Sequence, residues 1–302
     1  MSLALDAWGL LGNQVKGASA VRLAVRVYLE QGRFREASQM AEQHWSFFKT
    51  SSDPRARGML MVALADATAG LERFQEAVTL ASSAADIFGK VRDREGQAAA
   101  LKAAAEANLS SDGGTTKAKK ALVAAESALE LVRGLKDFRE EASILLIISR
   151  AHLARAEYDD AYAFARGSYD LAQSKGLTKA SAAAILEMAS LLLAVNEDPE
   201  AVLQLANEAL ALFQTQGDWL GEIAARRLVS RAYRADGLTS YAIEALEVSL
   251  AIARKLRDRR RVDDLLQALV DIHPPEVAVE VAEEEVRLAA KAGDRRREGT
   301  AL

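Results

Sequence analysis

The sequence contains no cysteine, only 4 prolines and few aromatic residues (8 Phe, 3 Trp and 6 Tyr) among its 302 residues. The absence of cysteine excludes disulfide bridges, cysteine-ligated zinc, iron–sulfur clusters and thiol catalysis. Hydrophobic residues make up 50% of the chain and are mostly alanine and leucine, which together with the scarcity of proline favours helices over extended sheet. We therefore expect an all-α protein.

An excess of charge of one sign is also missing, since 39 Lys and Arg face 43 Asp and Glu for a net charge of −4. This balance argues against disorder and gives no support to a nucleic-acid partner. No apolar run reaches the roughly 18 uninterrupted residues of a membrane helix, and the first residues lack the basic and apolar segments of a secretory signal. We expect a soluble, cytoplasmic chain without membrane contact.

What the sequence does contain is an internal repeat. Eight residues suited to helix capping precede charged, alanine-rich runs, at successive spacings of 40, 40, 44, 41, 40, 40 and 36 residues. They are Asn13, Asp53, Asp93, Asp137, Thr178, Asp218, Asp258 and Asp294. The side-chain oxygen of such a residue accepts an unpaired backbone N–H in the first helical turn, and Pro54 suits the first helical position after Asp53. The spacing predicts that one helix, helix A, begins in each repeat.

A second helix, helix B, is predicted in the second half of each repeat. Small or apolar residues recur 28 residues after five of the caps, and 32 and 24 residues after Asp93 and Asp258. Further apolar residues follow four positions later, so these residues line one helix face. The first set is Ala41, Ala81, Ala125, Ala165, Ala206, Leu246 and Ala282. In the 44-residue repeat, we expect the four extra residues to form a flexible loop over 110–116 between the two helices.

Two short motifs recur with this period, Gly-x-aromatic-x-x-Ala in the turn and Ala-x-x-Ala-Leu in helix B. Their clearest copies are Gly32, Phe34 and Ala37, and Ala206, Ala209 and Leu210. Over nearly the whole chain they resemble the tetratricopeptide repeat (TPR), whose usual length is about 34 residues. The longer period resembles the subtype found in spindle-orientation adaptors, kinesin light chains and bacterial signalling-ATPase sensor domains. The resemblance implies a right-handed α-solenoid of stacked antiparallel helix pairs, a TPR-like superhelix.

The period divides residues 1–302, a single predicted solenoid domain, into seven repeats and two partial ones. The repeats are 13–52, 53–92, 93–136, 137–177, 178–217, 218–257 and 258–293, and the partial units are 1–12 and 294–302. A solenoid normally ends in a polar capping repeat, and neither end of this sequence has one. We expect the chain to be a piece of a longer repeat protein. If it were complete, its uncapped ends would be expected to self-associate.

Residues suited to catalysis or to metal and cofactor binding are scarce. The three histidines lie in different predicted repeats, too far apart to bind one metal ion together; they are His44, His152 and His273. Residues 112–114 lack the Lys and Ser or Thr of a phosphate-binding loop. Acidic pairs such as Asp159 and Asp160 suit helix N-termini. The sequence predicts no enzyme, no cofactor and no metal site.

A binding surface is the remaining candidate, and the resemblance implies a concave groove lined by helix A of each repeat. Cations concentrate on that predicted face in the first and sixth repeats, and Asn108 could hold a partner's backbone. The candidate peptide-binding residues are Arg22, Arg26, Lys102, Asn108, Arg150, Arg227, Arg231 and Arg234. Because a guanidinium pairs with a carboxylate through two parallel hydrogen bonds, they predict a non-catalytic scaffold that binds an acidic peptide or protein segment.

Other functions stay open at this point. A groove of mixed preference is equally consistent with the sequence, because Asp66 and Glu187 share the predicted face. The uncapped ends would suit a structural or oligomerisation module of a larger assembly. Arginine clusters at 254–261 and 295–297 suggest a nucleic-acid-binding helical repeat, although the net charge and the few aromatic residues count against it.

Overall fold

A computed structural model of the chain describes residues 14–111, 113–256 and 258–273, together with residues 277, 279, 283 and 287. The helices with described bounds are α1 (Gln14–Glu30), α2 (Phe34–Phe48), α3 (Pro54–Gly70), α4 (Phe74–Lys90), α5 (Arg94–Ser110), α6 (Gly114–Leu135), α7 (Phe138–Leu153), α8 (Tyr158–Ser174), α9 (Thr178–Ala194), α10 (Pro199–Thr215), α11 (Trp219–Ala235), α12 (Thr239–Lys255) and α13 (Arg259–Val270). The described residues form no strand. The predictions for Asn13, Asp294 and residues 1–12 and 294–302 lie outside the described residues.

The helices form two compact units, one that ends at Leu191 and one that begins at Leu192. In the first unit, each helix from α1 to α7 packs on the next, and α1, α3, α5 and α7 pack in succession on one another. In the second unit, α10, α11, α12 and α13 pack in chain order. Because short turns join these neighbours, they run antiparallel. Each unit is thus a stack of antiparallel helix pairs, which confirms the predicted all-α class.

The aspartates that recur about every 40 residues cap the A helices as predicted. The Asp53 carboxylate accepts a hydrogen bond from the Arg55 N–H at 2.9 Å, and Pro54 is the first residue of α3. The Asp137 carboxylate accepts from two N–H groups of α7, at 3.2 and 3.1 Å. Asp93, Asp218 and Asp258 each accept from the N–H three residues ahead. Helix starts are therefore set locally by these side chains.

The prediction that Thr178 caps a helix is wrong. Helix α9 begins at Thr178 itself, and the N–H of Ser181 donates to the carbonyl of Leu177 at 2.9 Å, which places Leu177 in the capping position. The Thr178 hydroxyl thus lies one residue too late to accept a first-turn N–H.

Replacing a capping aspartate should therefore cost stability that replacing Thr178 does not. We expect Asp137→Ala to lower the free energy of unfolding by about 1 kcal/mol, because the first turn of α7 loses the acceptor of two N–H groups. Thr178→Ala should change it by less than about 0.5 kcal/mol. Urea denaturation followed by circular dichroism measures both, and equal losses would contradict the assignment of the caps.

The predicted loop over 110–116 is shorter in the structure, because residues 110 and 114–116 are helical. Helix α5 continues to Ser110 and α6 already begins at Gly114, so only residues 111–113 separate the two helices. Helix α6 has 22 residues, whereas α4 and α8 have 17. The additional residues of this repeat lengthen helix B, because their lysines and alanines are good helix formers.

The core consists mainly of alanine, with a few large side chains that connect successive repeats. Phe88 at the end of α4 is 0% exposed and packs between two glycines, Gly58 on α3 and Gly96 on α5. A Cβ atom at either glycine would lie 2.6 or 2.4 Å from the Phe88 ring. The second unit repeats the arrangement with Phe213 against Gly221. Glycine at these places lets a helix approach an aromatic ring closely.

Candidate functional site

In the first unit, the candidate cations on the A helices are largely neutralised by carboxylates. Lys102 Nζ on α5 lies 2.8 Å from Glu140 Oε2 on α7. Arg150 Nε on α7 lies 3.3 Å from Glu187 Oε2 on α9. Each ion pair joins one A helix to the next within the stack. These two cations therefore help to hold the unit together and are less available to a ligand.

The same surface of the first unit carries acidic groups in unusual surroundings. Asp66 on α3 is half-buried, and burial together with the nearby Glu106 carboxylate raises its pKa to about 7. Arg22, Lys102 and Arg26 oppose that rise only in part. Burial likewise raises the pKa of Glu187, and the Arg150 guanidinium opposes the shift. The A-helix face of this unit thus mixes both signs of charge.

The remaining first-unit candidates have different environments. Arg22 is half-buried on α1, and Arg26 is exposed and pairs with Glu30 at 3.4 Å. Asn108 is 7% exposed, and its Nδ2 donates to the Ala104 carbonyl at 2.8 Å. Since its amide is buried and already engaged inside α5, we leave Asn108 out of the binding surface proposed below.

In the second unit, Arg227, Arg231 and Arg234 lie on one face of α11, because residues four and seven apart share a helix face. All three are exposed, and none forms an ion pair with a residue that the structure describes. Desolvation lowers the pKa of Arg231, and the like charges of Arg227 and Arg234 lower it further. We call these three residues the arginine row.

A neighbouring arginine shows how differently a paired guanidinium is placed. Arg226 donates to Glu222 Oε1 from Nη2 at 2.8 Å and from Nε at 3.1 Å, and Glu222 is 7% exposed. Gln214 Nε2 also donates to this carboxylate oxygen, at 3.2 Å. Arg226 therefore has a structural role in the second unit, whereas the arginine row is exposed and has no ion pair among the described residues.

The eight predicted residues thus fall into two groups, one in each unit. Sequence reasoning missed the acceptors of the ion pairs in the first unit and the altered acidity of Asp66. In the sequence, each ion pair shows only as a cation and a carboxylate about one repeat apart. The stacking of the A helices is needed to show that the two groups meet.

Within the arginine cluster at 254–261, Arg261 pairs with the buried Asp258. Arg257 and the cluster at 295–297 lie outside the described residues.

No helix in the described part of the chain is both long and apolar enough to cross a membrane.

No protein-family model matches this sequence, and no curated protein sequence matches it significantly. Several solved structures match its fold. RapI in its apo form has a TM-score of 0.66 at 14% identity, and the match covers 85% of this chain and 90% of that one. A Rap protein complexed with competence and sporulation factor has a TM-score of 0.58 at 11% identity, covering 95% and 96%.

A signal transduction ATPase with a tetratricopeptide repeat sensor, from Pyrococcus horikoshii, has a TM-score of 0.61 at 15% identity. The match covers 95% of this chain and 44% of the archaeal protein, so this chain spans less than half of that protein's length. At such identities the likeness concerns the fold. The chain has a TPR-like fold, as its repeat motifs predicted.

Proposed function

We propose that this chain is a non-catalytic protein-interaction module that binds an acidic segment of a partner protein through Arg227, Arg231 and Arg234. The observation that carries the proposal is the arginine row itself, three exposed guanidinium groups on one face of α11 without an ion pair to the described residues. Desolvation is the main cause of the lowered pKa of Arg231, and the like charges of Arg227 and Arg234 lower it further through mutual repulsion. A bound carboxylate would relieve it.

The spacing of the row suits an extended peptide. Four residues along a helix rise about 6 Å, which separates Arg227 from Arg231. In an extended chain, side chains two residues apart point the same way and are separated by about 6.6 Å. Alternate Asp or Glu residues of a partner segment would therefore meet successive guanidinium groups. Each pair gains from the bidentate geometry that arginine offers to a carboxylate.

The first unit contributes less to this proposal than the sequence suggested. Lys102 and Arg150 are engaged with Glu140 and Glu187, so an acidic ligand would have to displace a carboxylate already in place. Among the structural neighbours, a Rap protein was solved with a bound factor, and the archaeal ATPase carries its repeats as a sensor. These descriptions support an interaction role for this fold. We expect the module to work in the cytoplasm, since a chain without cysteine suits a reducing compartment.

Reversing charge in the arginine row tests this function. We expect Arg227→Glu with Arg231→Glu to weaken binding of a fluorescein-labelled peptide of alternating Glu and Ser by about 100-fold or more, because two charge-assisted interactions become repulsive. Fluorescence anisotropy at fixed salt measures the affinity. The thermal unfolding midpoint should stay within about 2 °C of wild type, because both side chains are exposed.

The matched control is Arg35→Glu with Lys119→Glu, which changes the net charge equally at exposed positions of α2 and α6. It should leave peptide affinity within about threefold of wild type, since distant exposed charges are screened by salt. An equal loss in both double variants would show a diffuse charge effect and refute a specific acidic-segment site. Unchanged binding in the Arg227→Glu, Arg231→Glu variant would refute it as well.

A further inference from the structure

The turn from helix A to helix B has the same backbone in several repeats. A residue just before helix B donates its N–H to the carbonyl five residues earlier, at distances of 2.9 to 3.0 Å. The pairs are Arg33 to Tyr28, Arg73 to Thr68, and Glu157 to His152. The residue before each donor has a positive φ, of 70° at Gly32, 63° at Glu72 and 59° at Ala156. Side chains at equivalent positions of these turns therefore start from the same place relative to the turn backbone.

In the first two of these turns, the donor residue is an arginine that pairs with a glutamate three positions later. Arg33 Nε lies 3.0 Å from Glu36 Oε1, and Arg73 Nη2 lies 2.5 Å from Glu76 Oε2. The turn between α7 and α8 carries a carboxylate at both positions, Glu157 and Asp160. At the two positions where the other turns hold an ion pair, this turn has two carboxylates, and Glu157 pairs instead with Arg155.

A histidine completes the group at this turn. His152 Nδ1 lies 2.7 Å from Glu157 Oε2, and ligand atoms of His152, Glu157 and Asp160 all lie within 4.8 Å of one another. The Phe164 ring stacks on the imidazole at 5.3 Å with an interplanar angle of 10°. Arg155 Nη2 lies 2.7 Å from the second Glu157 oxygen, Oε1. Phe164 thus holds His152 in place, and Arg155 holds Glu157 in place.

We propose that this turn binds a divalent transition metal ion of the zinc class through His152 Nδ1, a Glu157 oxygen and an Asp160 oxygen. One imidazole nitrogen and two carboxylate oxygens form a three-ligand set that Zn²⁺ accepts at about 2.0–2.2 Å, with the fourth position open to water. Asp160 is exposed, so its side chain can turn inward to complete the set.

The surrounding residues suit that role. Arg155 occupies the Glu157 oxygen that does not face the histidine, which is how an outer hydrogen bond orients a metal-binding carboxylate. Phe164 fixes the plane of the imidazole. The bound ion would supply for Asp160 the positive charge that Arg33 and Arg73 supply for Glu36 and Glu76 at the matching position, and it would join the end of α7 to the first turn of α8. This proposal is independent of the arginine row, which lies in the other unit.

Calorimetric titration of ZnCl₂ into the chelator-treated 302-residue chain tests the proposal. We expect one zinc ion to bind per chain at this turn, and Asp160→Asn to weaken its affinity by at least about tenfold, since even loss of an outer-shell partner costs that much. His152→Gln should weaken it similarly. Zinc should also raise the thermal unfolding midpoint of the wild type, because the ligand binds the folded chain.

Glu76→Gln is the matched control, because Glu76 has the position of Asp160 in a turn that lacks the histidine. Its zinc affinity should equal that of the wild type. Absence of zinc binding to the wild type, or equal zinc affinity in the wild type and Asp160→Asn, would overturn the site and leave only a hydrogen bond between His152 and Glu157. Asp160→Asn decides the outcome even where His152→Gln fails to fold, because Asp160 is exposed.

Discussion

Replacing Phe88 with alanine is expected to lower the free energy of unfolding of the first unit by about 3–5 kcal/mol. The ring is fully buried, and it contacts helices of two successive repeats through Gly58 and Gly96. The other buried residues of its core cluster are Val62 and seven alanines, and an alanine has no rotatable side chain with which to fill the space. The cavity would therefore persist, and the loss should lie at the upper end of the range.

Urea denaturation followed by far-ultraviolet circular dichroism measures this loss. Phe47→Ala is the matched control, since Phe47 is 52% exposed near the end of α2. It should cost less than about 1 kcal/mol, as exposed substitutions usually do. Similar losses of unfolding free energy in the two variants would show that the Phe88 ring, between Gly58 and Gly96, does not connect the two repeats as described.

Raising the pH from 5 to 8 should destabilise the first unit through Asp66, by on the order of 2 kcal/mol. The pKa of this carboxyl is about 7 in the folded chain, against 3.8 for the unperturbed group. Between these values the folded state holds a proton that the unfolded state lacks, so removing protons favours unfolding. The contribution is fully present below pH 3.8 and is lost as the pH passes 7.

Asp66→Asn removes this dependence while keeping the size of the side chain. The difference in unfolding free energy between variant and wild type, measured by urea denaturation at pH 5 and at pH 8, should grow in favour of the variant at pH 8. Asp86→Asn, at an exposed position on α4, should show the same difference at both pH values. A pH-independent difference for Asp66→Asn would show that the carboxyl titrates as an ordinary aspartate.

The helix pairs were predictable from sequence because their determinants are local. A capping aspartate such as Asp137 acts on N–H groups two and three residues ahead, so spacing alone reveals it. Thr178 shows the limit of that reasoning. A hydroxyl at the capping position and one at the first helical position differ by a single residue, and the sequence pattern does not separate them.

The binding surface was predictable only in part, because charge pairing depends on the stacking of helices. Lys102 and Glu140 are 38 residues apart in sequence and 2.8 Å apart in space. From sequence alone, Lys102 and Arg231 are equally plausible cations for a ligand, and only packing shows which one already has a counter-charge. The group at His152, Glu157 and Asp160 was missed for a related reason, since it needs the left-handed backbone at Ala156 to bring its members together.

The packing of each helix in the first unit on its near neighbours in the chain also bears on how this unit acquires its structure. Contacts between segments close in sequence require little loop closure, and proteins dominated by them fold quickly. From α1 to α8, the described interfaces join consecutive helices or the A helices of adjacent repeats. During synthesis, each hairpin that leaves the ribosome therefore finds its packing partner already made, and folding of this unit can keep pace with translation.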